Sequence, residues 1–220
     1  MRLAALLPLI LLSQTAFSQA PIDLAPVKRW ISQQKELRSI EAEFVQTRSL
    51  RALRSPLSTP GKVWLNSTGE IRWELGNPPK TIFLRKKDTT LLIHPQKQRY
   101  TPITPGTDSP LNPQSFPMME LPIAHTLSDF TKRFEITQVQ VEGDECHLEF
   151  LPKDPEARKL VQTIRIAFDT NNGHPKSFEA VTKDGSSLRN EFSNVRANQK
   201  LERSLFEFDL NGYQPEPQKK

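Results

Sequence analysis

Four histidines, one cysteine and a scatter of serines and carboxylates are the side chains that could act on a substrate, and their spacing decides what they could do. His94, His125, His147 and His174 show no ligand spacing such as His-x-x-x-His. Cys146 and His147 are adjacent, so on a strand they point to opposite faces, which is poor geometry for one metal. Ser67, Ser186 and Ser187 lack the Gly-x-Ser-x-Gly context that exposes a nucleophile on a sharp turn. Asp144 with Glu145, and Asp154 with Glu156, sit in polar, turn-like segments where carboxylates face water. The chain holds 8 glycines and no glycine-rich phosphate loop. This inventory argues against an enzyme and offers no site for a metal or cofactor.

Binding needs no such groups. The stretch 61–75, GKVWLNSTGEIRWEL, places Trp64 and Trp73 on a hairpin whose turn is Ser67-Thr68-Gly69. Ile71, Trp73 and Leu75 alternate with Arg72 and Glu74, while Val63 and Leu65 alternate with Lys62 and Trp64. Ile40, Ala42 and Phe44 alternate with Glu41 and Glu43, and Cys146, Leu148 and Phe150 share one side of a later strand. On the inner face of a curved sheet, rings such as Phe44, Trp64, Trp73, Phe83 and Phe150 either fill the core or line a ligand cavity. Periodicity does not separate those two outcomes.

The elements that carry these faces follow from the changing period. Leu24, Val27, Ile31 and Leu37 predict an amphipathic helix, with Asp23 as its N-cap and Pro26 in the first turn. The period then drops to two, and further strands are expected over 81–85, 89–94 and 98–103. Six prolines between residues 101 and 122 rule out a central strand there and predict a long, semi-rigid excursion. Ile123, Leu127, Phe130 and Phe134 form a second helical stripe, with Pro122 near its start. Strands resume over 135–142, 146–151, 162–169, 177–182 and 187–195, separated by turn signals of which Lys183-Asp184-Gly185 is the strongest. Roughly ten antiparallel strands and two helices predict a mainly β, α+β fold: a highly curved sheet or barrel in a single domain over 19–220.

Arg2, the apolar run from Leu3 to Leu12 and the small-residue pattern Ala16-Phe17-Ser18 have the three parts of a secretory signal peptide, with cleavage expected after Ser18. That run is shorter than the roughly 20 residues needed to cross a bilayer. No cysteine lies near the cleavage site to carry a lipid anchor, and Cys146, alone, can form no internal disulfide, so it is expected to be a buried small apolar residue. The formal charge of +5 becomes +4 once Arg2 is removed, a mild bias toward anionic surfaces and well short of a nucleic-acid signature.

Four blocks in order carry a family resemblance: SIEAEFVQTRSL (39–50), GKVWLNSTGEIRWELGNPP (61–79), LLIHPQKQRYT (91–101) and FSNVRANQKLERSLFEFDLNGYQ (192–214). After an amphipathic first helix, they resemble the LolA family of periplasmic lipoprotein carriers over about residues 24–214. The resemblance implies an incomplete, strongly curved antiparallel β-barrel with helices covering its open mouth. It implies a carrier, monomeric, that binds lipoprotein acyl chains and passes lipoproteins from the inner membrane to an outer-membrane acceptor. Its partners would be acylated lipoproteins or other lipids, an inner-membrane lipoprotein-releasing transporter and the acceptor protein, with no nucleic acid. The implied lipid contacts are Phe44, Ile71, Trp73, Leu75, Leu92, Ile123, Leu127, Phe130 and Phe150, with the stripe of Ile123, Leu127 and Phe130 on a lid helix. Ser67 stands where the family usually has an arginine in the hairpin turn, and Arg72 points away from the face of Ile71 and Trp73. A lipid or lipoprotein sensor of the same fold, or a carrier of another lipid, is the alternative reading.

Overall fold

In the computed structural model, residues 21–87, 89–103 and 126–217 are described. The expected signal segment 1–18, His125, Ile123 and most of the proline-rich stretch lie outside these residues.

Alternation builds the sheet strand by strand. Strands β1 (Ser39–Ser49), β2 (Leu57–Asn66), β3 (Ile71–Leu75), β4 (Thr81–Lys86), β5 (Thr89–His94) and β6 (Arg99–Pro102) form one antiparallel meander. A second meander comprises β7 (Phe134–Glu142), β8 (Glu145–Pro152), β9 (Val161–Asp169), β10 (Pro175–Thr182) and β11 (Ser187–Ala197). The two join where β1 pairs antiparallel with β11, from Ile40 opposite Ala197 to Ser49 opposite Ser187. The twelfth strand, β12 (Gln214–Pro215), lies parallel to β6 and had no signal in the sequence. The order β12-β6-β5-β4-β3-β2-β1-β11-β10-β9-β8-β7 leaves β12 and β7 as edges, so the sheet curls without closing, as expected of the LolA-like fold.

Side chains on the concave face form the main core. Ile40, Ala42 and Phe44 of β1, Val63 of β2, Trp73 of β3, Leu148 and Phe150 of β8 and Ile164, Ile166 and Phe168 of β9 are buried together. Cys146 belongs to the same cluster. Trp64 points the other way: it is half-buried on the convex side, between Glu41 and Arg72 in register, so of the two hairpin tryptophans Trp73 alone faces the core.

A smaller core lies on the convex side of the first meander. Ile82, Leu84 and Ile93 are buried there under Phe208 and Tyr213 of the C-terminal segment. Arg72 ties that segment down. Its Nη1 donates to the carbonyls of Leu205 at 3.1 Å and Glu207 at 3.2 Å, while its Nε donates to Glu74 Oε1 at 2.6 Å. Arg72 thus faces away from Ile71 and Trp73 because it anchors a strap on the opposite side. The second meander instead shows water a charge ladder running Glu149, Arg165, Glu179, Arg189 and Glu191 across neighbouring strands.

Among the described residues, three α-helices accompany the sheet. α1 (Ala25–Gln34) buries Val27 and Ile31 against the concave core. The residue at its N-cap is Leu24 rather than Asp23, although the Asp23 carboxylate accepts the Ala25 N–H at 2.9 Å. α2 (Leu127–Arg133) starts at Thr126, whose hydroxyl accepts the Asp129 N–H at 3.1 Å. It ends one residue before Phe134, which opens β7 instead of extending the helical stripe, because pairing with Pro152 requires extended backbone. α3 (Pro155–Leu160) forms where the sequence around Asp154 and Glu156 predicts a polar turn. Asp154 caps it by accepting the Ala157 N–H at 2.8 Å, with Pro155 in its first turn.

Candidate functional site, an apolar cavity beneath the first helix

The second half of α1 crosses one end of the concave face and does not fill it. Beneath it lies a cavity of about 280 Å³. Its walls are Trp30 and Leu37 above, Ile40 and Leu65 from the β1–β2 hairpin, and Ile166, Phe168, Phe178 and Phe192 from β9 to β11. Trp30 is set by a stacked contact with Phe168, ring centroids 4.9 Å apart and planes 17° from parallel. Amphipathic spacing explains the placement: Val27 and Ile31 bury one stripe of α1, and Trp30, three residues after Val27, leans from its flank over the cavity.

Polar groups gather at the rim. Gln34 Nε2 donates to the Gly173 carbonyl at 3.0 Å, holding the end of α1 to the β9–β10 turn. Asn66 Oδ1 accepts the N–H groups of Thr68 and Glu70, which closes the β2–β3 turn on itself. Ser67 and Gly69 of that turn also line the rim. Gly69 has φ of +83°, a left-handed conformation that a side chain would strain. Among the described residues lining the cavity, Lys35 is the charged one. Such a site can hold an apolar chain and place one cation beside whatever polar group the chain carries. Among the described residues, no three of His, Cys, Asp and Glu stand close enough to hold a metal.

Residues 35–209 match the family described as outer membrane lipoprotein carrier protein LolA. The chain is a member of the LolA family. Three solved structures with similar folds are a LolA superfamily protein from Nitrosomonas europaea, the lipoprotein LppX from Mycobacterium tuberculosis and the Pseudomonas aeruginosa MucA/MucB complex. The first is 11% identical with a TM-score of 0.40, covering 81% of this chain and 96% of that one. LppX is 11% identical with a TM-score of 0.42, covering 81% and 96%. The MucA/MucB structure is 12% identical with a TM-score of 0.47, covering 84% of this chain and 60% of that one. A search of curated proteins returns no match.

The LolA resemblance implied nine lipid contacts, of which eight are described, and the structure places these eight outside the cavity lining, in or against the concave core. Phe44, Trp73, Leu92, Phe130 and Phe150 are buried in the concave core, with Ile71, Leu75 and Leu127 packed against it. None of the eight lines the open volume. Phe192 stands between the two groups. It lines the cavity and meets Trp73 edge-on at 6.2 Å and Phe44 at 6.1 Å, while Phe44 and Trp73 lie 4.2 Å apart. Ile71 adjoins the cavity through Leu65, its direct cross-strand partner. Phe130 belongs to a separate aromatic trio with Phe134 and Phe150, all centroids 5.0–5.1 Å apart, at the far end of the sheet. Trp30, Phe168, Phe178 and Phe192 were missed from sequence. The alternation of Ile164, Ile166 and Phe168 is a signal that places Phe168 on the inward side of β9, but nothing local shows that α1 stops short of it.

On the convex face of β1, away from the cavity, the Asn194 amide and then the Lys62 ammonium hold Glu43 below the usual carboxylate range. Burial pushes the Cys146 thiol up to about 11, so it is an inert core group and no nucleophile.

Proposed function

We propose that this LolA-family chain is a periplasmic carrier that binds lipoprotein acyl chains in the cavity beneath α1 and transfers lipoproteins from the inner membrane to an outer-membrane acceptor. The observation that carries this reading is the cavity itself: open, walled by aromatic and aliphatic side chains, and rimmed by one cation and self-satisfied polar groups. The chemical need is plain. At about 0.8 kcal/mol per CH₂, a palmitoyl-length chain costs roughly 12 kcal/mol to leave in water, so lipoproteins do not cross an aqueous compartment unaided.

The cavity of about 280 Å³ lies just below the roughly 300–1,000 Å³ of typical ligand pockets. It admits part of one acyl chain. Full loading requires Phe192 to swing from Trp73 and Phe44, which would open the cavity into the aromatic core where the implied lipid contacts sit. A volume that must open against packed rings keeps net affinity moderate, which suits a carrier that has to release its load. Lys35 at the rim supplies a cation where the β2–β3 turn has Ser67.

The test is a transfer assay. The chain purified without detergent should carry acylated lipoprotein, take it from inner-membrane vesicles with their releasing transporter, and unload it to vesicles bearing the acceptor. Leu65→Glu places a carboxylate in the cavity wall and should lower uptake at least about tenfold while the circular dichroism spectrum stays unchanged. Unchanged uptake by the folded variant would refute the site. Stable retention of a protein partner with no lipid would replace the carrier by the sensor of the same fold.

A further inference from the structure

The end of the sheet away from the cavity carries a different surface. Between β1 and β2, residues 45–58 read VQTRSLRALRSPLS, with three arginines and no acidic residue. The tip exposes Leu50, Leu53 and Leu57, at 41%, 45% and 52%. Beside it stands the β10–β11 turn, where Ser186 Oγ accepts the Arg51 N–H at 3.3 Å. The Lys183 N–H of that same turn donates to the carbonyl of Leu160, which ends α3 and is 60% exposed. Leucines of the hairpin tip and of α3 therefore share one rim, with Lys183 between them.

Charge separates this rim from an ordinary surface. Of its carboxylates, Glu156 pairs with Lys159 at 2.6 Å and Glu135 with Arg158 at 2.8 Å, while Asp184, held by hydrogen bonds from Thr182 and Ser186, keeps one negative charge against the cations Arg51, Arg54 and Lys183. Arg48 lies back along β1, donating to Gln46 at 3.0 Å. The guanidinium groups of Arg51 and Arg54 have no partner among the described residues. Exposed leucines interleaved with unneutralised arginines match a surface that offers negative charge above an apolar layer. An acidic protein groove supplies the charge but not an apolar depth that accepts leucines at any register, whereas a lipid bilayer supplies both.

We propose that the β1–β2 tip, with Leu160 and Lys183 beside it, docks on the surface of an anionic phospholipid bilayer. Leu50, Leu53 and Leu57 enter the boundary between headgroups and acyl chains, and Arg51, Arg54 and Lys183 sit at the phosphates. The docking does not depend on the cavity. Along β1, Ile40 lines the cavity and Ser49 adjoins the tip, about 30 Å of strand apart at roughly 3.3 Å per residue.

The experiment is co-sedimentation of the purified chain with vesicles of phosphatidylcholine, with and without phosphatidylglycerol. Wild type should bind the anionic vesicles, lose that binding progressively as salt rises, and leave pure phosphatidylcholine largely unbound. Leu53→Asp/Leu57→Asp should cut binding about tenfold or more, and Arg51→Ser/Arg54→Ser should weaken it and flatten the salt dependence, both with unchanged circular dichroism. Should either pair disturb folding, Leu160→Ser should still reduce binding. Absence of wild-type binding, equal binding to neutral and anionic vesicles, or wild-type affinity in the folded leucine variant would overturn the proposal. Capture of the tip by a protein without vesicle binding would overturn it in favour of a protein partner. Acyl-probe uptake by the same variants should match wild type, which keeps this outcome distinct from failure of the carrier reading.

Discussion

The ring of Phe44 lies over Gly61, its direct partner across the β1–β2 ladder, and fills the space where a side chain on Gly61 would be. The Glu74 carbonyl on the next strand closes the same space from the other side. Gly61 is therefore the one residue type that lets Phe44 reach Trp73 across the intervening strand. Gly61→Ala should destabilise the fold by about 2–3 kcal/mol, the range for overpacking a well-filled core. Phe44→Leu in the same chain should recover part of that loss and leave the clash with the Glu74 carbonyl. Urea denaturation of the single and double variants checks both statements, and full additivity would show that the ring does not occupy the space.

Phe192 separates the open cavity from Phe44 and Trp73. Phe192→Ala should extend the cavity toward Phe44 and Trp73, costing about 2 kcal/mol of stability, less than the roughly 3–5 kcal/mol of a fully buried ring. Long fluorescent acyl probes should bind this variant several-fold more tightly, while short probes change little. Titration of probes of graded chain length reads the difference.

Arg72 holds the C-terminal segment through two carbonyls while pairing with Glu74, and both side chains are about 15% exposed. Arg72→Met keeps the stem and removes the donors, leaving the Glu74 carboxylate without its partner. The expected cost is about 2–3 kcal/mol, and amide exchange should accelerate first over residues 203–215. Uniform acceleration across the sheet would mean that the segment is not a separable strap.

Cys146 provides a pH test with a definite sign. Its thiol is raised from 9.0 to about 11 in the folded chain, so the folded state holds the proton more tightly than the unfolded one. The contribution is fully present below pH 9 and is lost as pH rises through 11. Compared with Cys146→Ala, wild type should lose up to about 2–3 kcal/mol more stability between those limits. Parallel stability curves for the two proteins across that range would contradict the burial of the thiol.

Much of the framework was legible in the residues themselves. Period-two alternation is a local property, because successive side chains on a strand must face opposite sides, and it marked the strands of Phe44, Val63, Trp73 and Phe150, while turn signals bounded most of the others. Ile71, Trp73 and Leu75 could be placed on one side and Arg72 on the other for that reason alone. The first helix was readable from Val27 and Ile31 in the same way. Helix limits were less so: Phe134 continues the spacing of Leu127 and Phe130, but the ladder with Pro152 draws it into β7.

What local pattern could not supply is which inward-facing ring meets protein and which meets open space. Phe44, Trp73 and Phe192 are equivalent by alternation, yet two are enclosed and one lines a cavity, because that difference depends on where α1 ends above the curled sheet. The pairing of β1 with β11, about 150 residues apart in the chain, brings Phe192 beside Phe44 and the basic hairpin tip beside the β10–β11 turn. No window of sequence contains both partners. Residue type and period determined the faces of this protein; tertiary closure of the sheet decided which parts of those faces remain uncovered, since an unfilled volume is a property of the surrounding walls and not of any residue in them.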